Sequence, residues 1–261
     1  MDLQDYRVVW VHGVSDYKPG YSAVWTKGFN QYLNLPDPAT DFIEVYWRGV
    51  FTAMTLAPRQ PMNATELAQT AQKQAEVHQA LATALLARAG ADEALLPPGL
   101  LNPEAVVGEF IQYLLDENIR TAVKEKMKEK LRLLVGQGLN ISIIAHSWGT
   151  VVAYESLIDS QQELPALQVT NLFTLGSPLW LVRSLLNDPS GHKPANVTKW
   201  VNIYASGDFI AYSLYPDFQD DEDDEVPDFS NGADTHNSYF LKGNVAVQRD
   251  IVAANIIAQS T

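Results

Sequence analysis

Ile141-Ser142-Ile143-Ile144-Ala145-His146-Ser147-Trp148-Gly149-Thr150-Val151-Val152 is the stretch on which the fold turns. Its first six residues, 141–146, form a short apolar run of the kind found in a strand buried on both faces. Ala145-His146-Ser147-Trp148-Gly149 follows at once, a G-x-S-x-G pattern with Ala in the first place. That pattern marks a strand-to-helix turn so sharp that larger side chains at its first and last positions would clash, and the turn lifts the serine hydroxyl above the sheet edge. Residues 148–158 then read as a helix whose N-terminus favours negative charge developing near the serine. Alone the five-residue pattern is a modest signal, and the plain alternative is an ordinary serine in a strand-to-helix turn. Its place between an apolar strand and a helix makes Ser147 a candidate nucleophile.

Working outward, similar apolar runs recur. Residues 7–14 end in His12-Gly13-Val14, and residues 42–47 read Phe-Ile-Glu-Val-Tyr-Trp. Residues 169–175 close on Gly176-Ser177-Pro178, and residues 199–205 close on Ser206-Gly207-Asp208. A sixth strand is expected just before or just after His236. Helical patterns lie between. Leu67, Ala71, Gln74, Val77, Leu81 and Leu85 recur at helical spacing over 65–88, and Pro97-Pro98-Gly99 then breaks the chain. Asn102-Pro103-Glu104 has the capping residue, proline and acid of a helix start. Leu115, Ile119, Val123, Met127 and Leu131 step by four as one helix, which Gly136 and Gly138 end. Leu179–Leu186 reads as a short helix. Alternation of this kind predicts an α/β fold, a mainly parallel sheet of about six strands with helices on both faces. No repeat or linker divides the chain, so one domain is expected over 1–261. The stretch at about 52–118 is longer than a crossover needs and reads as a helical insertion. Its Leu67–Leu85 helix is expected either to overhang Ser147 as a cap or to pack as one more layer.

The 261 residues are 46% hydrophobic and 19% charged, enough for a full core. There is no cysteine, which excludes thiolate nucleophiles, thiolate metal sites and disulfides. A net charge of −13 repels phosphate backbones, so no nucleic-acid partner is expected. Much of the excess lies in one run, Asp217 to Asp228, read as a solvated loop. As a calcium loop the run lacks the glycine and the terminal glutamate of an EF-hand, and no metal or other cofactor is expected. The N-terminus shows no basic segment followed by an apolar one, and no apolar run is long enough to span a bilayer, so the expected location is cytoplasmic, without stable membrane insertion.

Ser147 is a poor nucleophile alone; it needs a base to take its proton and an acid to orient the base. Asp208 follows a strand and a turn, although Asp after Gly is also a common turn former. Asp217 and Asp188 are the next choices. His236 is the only histidine after Asp208 among the five of the chain. His78 falls on a helix, His192 in a Pro/Gly loop, His146 is expected to point away from Ser147, and His12 to shape its loop.

The order Ser, Asp, His and several segments resemble the α/β-hydrolase superfamily, and within it the bacterial lipase-like serine esterases. Val11-His12-Gly13, Ile144 to Val152, Leu175 to Pro178, Trp200 to Asp208 and His236 to Tyr239 carry the resemblance. It implies a reduced α/β-hydrolase fold, since the first two strands of larger members have no counterpart before Arg7. It further implies a serine hydrolase with Ser147, His236 and Asp208 as catalytic residues and an oxyanion hole from the N–H groups of Val14 and Trp148. The expected substrate is a small-molecule or lipid carboxylic ester, cleaved through an acyl-serine. Thioester or amide cleavage would use the same residues. Two other classes compete: a non-catalytic binding protein on the same scaffold, and an interaction protein whose acidic run meets a basic partner. Trp148, Trp180, Phe209, Tyr212 and Tyr215 read either as an apolar pocket or as plain core.

Overall fold

The apolar runs pair into one sheet because each carries backbone donors and acceptors that burial would otherwise leave unmet. A computed structural model describes residues 3–56, 63–88 and 108–259. In chain order the elements begin with β1 (Tyr6–Val11), α1 (Ala23–Leu33), α2 (Pro38–Asp41) and β2 (Phe42–Val45). Next come α3 (Gly49–Leu56), α4 (Ala64–Arg88), α5 (Gly108–Leu115), α6 (Glu117–Leu134), β3 (Asn140–His146) and α7 (Trp148–Glu163). The chain continues through β4 (Val169–Leu175), α8 (Leu179–Val182), β5 (Val197–Ala205) and β6 (Glu222–Val226). A 3₁₀ segment, Thr235–Phe240, leads to a wide π-helical segment, Ala246–Ala253, that runs into α9 (Ala254–Ala258). All strand pairs are parallel, in the order β2-β1-β3-β4-β5-β6.

Side-chain alternation splits the core into two layers. Val9, Val11, Ile141, Ile143, Leu172 and Trp200 face one way, toward α3 to α7. Val8, Trp10, Ile144, Phe173, Val201 and Ile203 face the other, where α1 supplies Trp25, Phe29 and Leu33 and the C-terminal helix supplies Val252 and Ile256. The sheet is thus covered on both faces, as parallel sheets must be. Among the described residues, no helix is long and apolar enough to cross a membrane.

Four expectations change. The acidic run is not simply a solvated loop: its 222–226 portion is β6, the sheet's sixth strand, paired in register with β5. An edge strand accommodates charge, and these carboxylates serve as acceptors. Asp223 takes the N–H groups of Leu214 and Tyr215 at 3.0 and 2.9 Å and the Asn202 amide at 2.6 Å. Asp221 takes the Trp200 N–H at 2.7 Å, and Glu222 pairs with Lys199. The single helix read through Leu115 to Leu131 is two, because the Asp116 side chain accepts from the N–H groups of Asn118 and Ile119 and starts α6 afresh. Among the α4 residues whose side chains are described, Val77, Leu81 and Leu85 join the core, while Ala71 and Gln74 are exposed; the Leu67 side chain lies outside the described residues. That buried end packs on α5 and α8. Helix α1 and the C-terminal helix were not anticipated at all. Pro97-Pro98-Gly99 and Asn102-Pro103-Glu104 lie outside the described residues.

Candidate functional site

The strand order places a switch point between β1 and β3. From β1 the chain turns out through α1 toward β2, and from β3 it turns the other way through α7 toward β4. Ligands of open parallel sheets bind where neighbouring strands part in this manner, beyond their C-terminal ends. Register sets Val11 beside Ala145, so His12-Gly13 and His146-Ser147 leave the sheet side by side.

Ser147 sits at φ 53° and ψ −130°, a conformation that costs a non-glycine residue about 1–3 kcal/mol. Its surroundings hold it there. Ser147 N–H donates to the Leu175 carbonyl at 2.9 Å. A Cβ on Gly13 would stand 2.5 Å from Ser147 Cβ, and one on Gly149 would stand 2.5 Å from the carbonyl oxygens of both Val11 and His12. The two loops touch so closely that only glycine fits at either point. Trp148 opens α7, and its N–H is among the first-turn donors that no helical carbonyl can satisfy. Trp148 itself is buried, stacked on Phe110 at 4.9 Å and edge-on to Tyr113 at 5.6 Å, both from α5.

His236 Nε2 lies 2.8 Å from Ser147 Oγ. Its Nδ1 lies 2.9 Å from Asp208 Oδ2 and 3.1 Å from Oδ1. A carboxylate only accepts, so Nδ1 carries the proton and Nε2 faces the serine as an acceptor. Asp208 is buried in the turn after β5 and takes two further bonds, from Tyr239 O–H at 2.8 Å and from Ile210 N–H at 2.9 Å. Burial alone would raise the Asp208 carboxyl. The hydrogen bond and charge of His236, with the Tyr239 and Ile210 bonds, outweigh it and hold the carboxyl below its ordinary value. The His236 side chain keeps 27% of its surface exposed, enough for water to reach it.

The structure therefore brings Ser147, His236 and Asp208 into one hydrogen-bonded line. The alternative acids stand elsewhere: Asp217 pairs with Arg183, and Asp188 accepts from Ser190 N–H at 2.9 Å. Tyr239 was missed as a site residue. Its spacing of three from His236 was the available signal, since it shares the 3₁₀ segment; its hydroxyl also accepts Ala205 N–H at 2.9 Å and so ties that segment to the end of β5.

No protein-family model matches the chain, and none of the curated proteins searched matches it.

His12 is buried and shapes the neighbouring loop. Its Nδ1–H donates to the Gly13 carbonyl at 2.6 Å, Trp47 N–H donates to its Nε2 at 3.3 Å, and Trp47 indole N–H donates to its carbonyl at 2.8 Å. Burial above all lowers the His12 ring to about 4, so it stays neutral. Val14, next after Gly13, packs partly buried against the core. Of the five aromatics read as pocket or core, Trp148 is buried and Trp180 is partly so, its indole N–H donating to the Ile210 carbonyl. Phe209, Tyr212 and Tyr215 are not core: they are 42%, 47% and 77% exposed, on the chain that leaves Asp208.

Proposed function

We propose that this chain is a serine hydrolase of a reduced α/β-hydrolase fold that cleaves carboxylic esters through an acyl-serine. The observation that carries this reading is the line from Ser147 Oγ through the His236 ring to buried Asp208, with bonds of 2.8 and 2.9 Å. The all-parallel sheet, with Ser147 on a strained turn at the switch point, supports it further.

In this mechanism Ser147 Oγ attacks the ester carbonyl while its proton passes to His236 Nε2. Asp208 holds the imidazole in the reactive tautomer and stabilises the imidazolium that forms. The tetrahedral oxyanion takes hydrogen bonds from the N–H groups of Trp148 and Val14, each such donor being worth about 10²–10³ in kcat. His236 then gives its proton to the leaving alcohol as the C–O bond breaks. A water molecule, deprotonated in turn by His236, attacks the acyl-serine and releases the acid. The protein's own groups carry every step, and thioesters or amides would follow the same course.

A panel of p-nitrophenyl esters of graded acyl length, run with wild type and Ser147→Ala, tests the proposal. Wild type should hydrolyse at least part of the panel, and Ser147→Ala should lose about 10⁴-fold or more in kcat while remaining folded. Equal rates for the two proteins would refute it.

A further inference from the structure

His146 directly precedes Ser147, is buried, and takes no part in the proton relay. As the last residue of β3 it is fixed by the sheet, and its ring lies among Trp25, Tyr239 and Phe240, with ring centroids 6.3, 5.9 and 5.0 Å away. The His236 ring is nearer still, at 4.9 Å. His146 Nε2 stands 2.7 Å from the main-chain carbonyl oxygen of His236. A carbonyl only accepts, so Nε2 carries the proton. Nδ1 is then a buried acceptor with no protein partner among the described residues. Leaving such an atom unmet costs about 1–3 kcal/mol, and among the described residues the bond at Nε2 is the hydrogen bond this ring makes.

We infer that His146 is a positioning residue for the base: its Nε2–H pins the His236 carbonyl and so sets the backbone from which the imidazole reaches Ser147. The inference rests on the proposed hydrolase reading. Asp208 and Tyr239 hold the His236 ring and the far end of its segment, yet the segment is a single short 3₁₀ stretch, a geometry with poor hydrogen bonds of its own. The His146 bond ties that stretch to the strand that carries the nucleophile. Nucleophile and anchor are consecutive residues, so Ser147 and His236 share one rigid reference. The ring must also stay neutral, because a charged His146 would face the imidazolium that forms on His236 during turnover. Burial, and next the repulsion from His236, lower the His146 ring to about 3 and keep it so.

His146→Leu removes the donor and keeps the bulk, whereas His146→Gln keeps an amide N–H at the reach of Nε2. Two readouts apply: p-nitrophenyl ester hydrolysis, and the low-field proton resonance of His236 Nδ1–H, which needs no turnover. His146→Leu should lower kcat by about 10- to 100-fold with KM within about twofold, the size expected when a reacting group is misplaced. The resonance should broaden or shift, and His146→Gln should recover at least about tenfold of the lost kcat. If the Leu variant does not fold, His146→Met takes its place with the same expectation. A folded variant lacking the donor with wild-type kcat and an unchanged resonance would overturn the inference, as would equal losses in the Gln and Leu variants. An inert wild type would instead sink the hydrolase reading, and the resonance alone would then decide the positioning role.

Discussion

At the scale of single residues the site is held by close contacts and by protons kept in place. Gly13 shows the first. With a Cβ placed 2.5 Å from Ser147 Cβ and 3.0 Å from Oγ, Gly13→Ala must push the serine turn aside. A displacement of about 1 Å at a reacting atom costs about 10²-fold. We expect Gly13→Ala to lose about that much kcat on p-nitrophenyl esters, with a lowered melting temperature; wild-type kcat would show that the loop yields without moving Ser147. His12 shows the second. Its ring, lowered to about 4 by burial, would take up a proton on unfolding at any pH between there and its ordinary 6.5. The unfolded chain binds the extra proton, so the His12 contribution to stability is complete above about 6.5 and fades as pH falls toward 4, amounting to about 3 kcal/mol in all. The depressed Asp208 carboxyl acts in the same direction at lower pH, its contribution being lost as pH falls through its folded value. Urea titrations from pH 7 to 4 should show wild-type stability falling, with a smaller fall in His12→Gln; parallel curves would assign the acid sensitivity to other groups. Ser147, Asp208 and His236 were legible in the sequence because each follows a strand end or stands alone in its class. Tyr239 and His146 were not, since their partners are the main-chain or carboxylate atoms of residues that only folding brings near.

At the scale of elements, periodicity was readable where a run was long and uniformly apolar. Residues 169–175 mark β4 to the residue, and residues 141–146 miss β3 by one. Helix α1 carries the same kind of signal in Trp25, Phe29 and Leu33, but polar residues and an internal Gly28 dilute it. β6 is illegible for a firmer physical reason: Glu-Asp-Asp-Glu-Val has almost no strand propensity. It is a strand because β5 offers a free edge and because Asp223 and Asp221 satisfy neighbouring N–H groups. The break at Asp116 is hidden in the sequence because Leu115 and Ile119 keep the spacing of four across it. Between elements, the tie with most at stake is the buried Arg120–Glu155 pair that joins α6 to α7. Tyr113 O–H from α5 donates to the same carboxylate at 2.7 Å, and Asn187 N–H at 3.0 Å. Removing one partner of a buried pair strands the other charge, which costs about 3–5 kcal/mol. Glu155→Ala should lower unfolding free energy by about that amount in urea titration; a loss under about 1 kcal/mol, the size of an exposed pair, would mean that water reaches Arg120.

At the scale of the whole molecule, one topological fact organises the site. Because β1 and β3 are neighbours whose chains depart in opposite directions, the serine turn and the Gly13 loop both lie beyond their C-terminal ends, where ligands of open parallel sheets bind. Asp208 reaches the serine turn from the end of β5, through His236 on the 3₁₀ segment beyond β6. Residues separated by 89 positions thus meet at 2.8 Å, on a platform of strands that do not bend independently. The alternation of strands and helices made the fold class readable, while the meeting of these loops depends on strand order, which no local pattern encodes. The central claim is that this meeting makes Ser147 a nucleophile. Intact-mass and peptide mapping after exposure to a fluorophosphonate measures it directly. A single adduct on the peptide that contains Ser147, absent in Ser147→Ala, is the predicted result; no adduct on the folded wild type, or an adduct undiminished in Ser147→Ala, would contradict it.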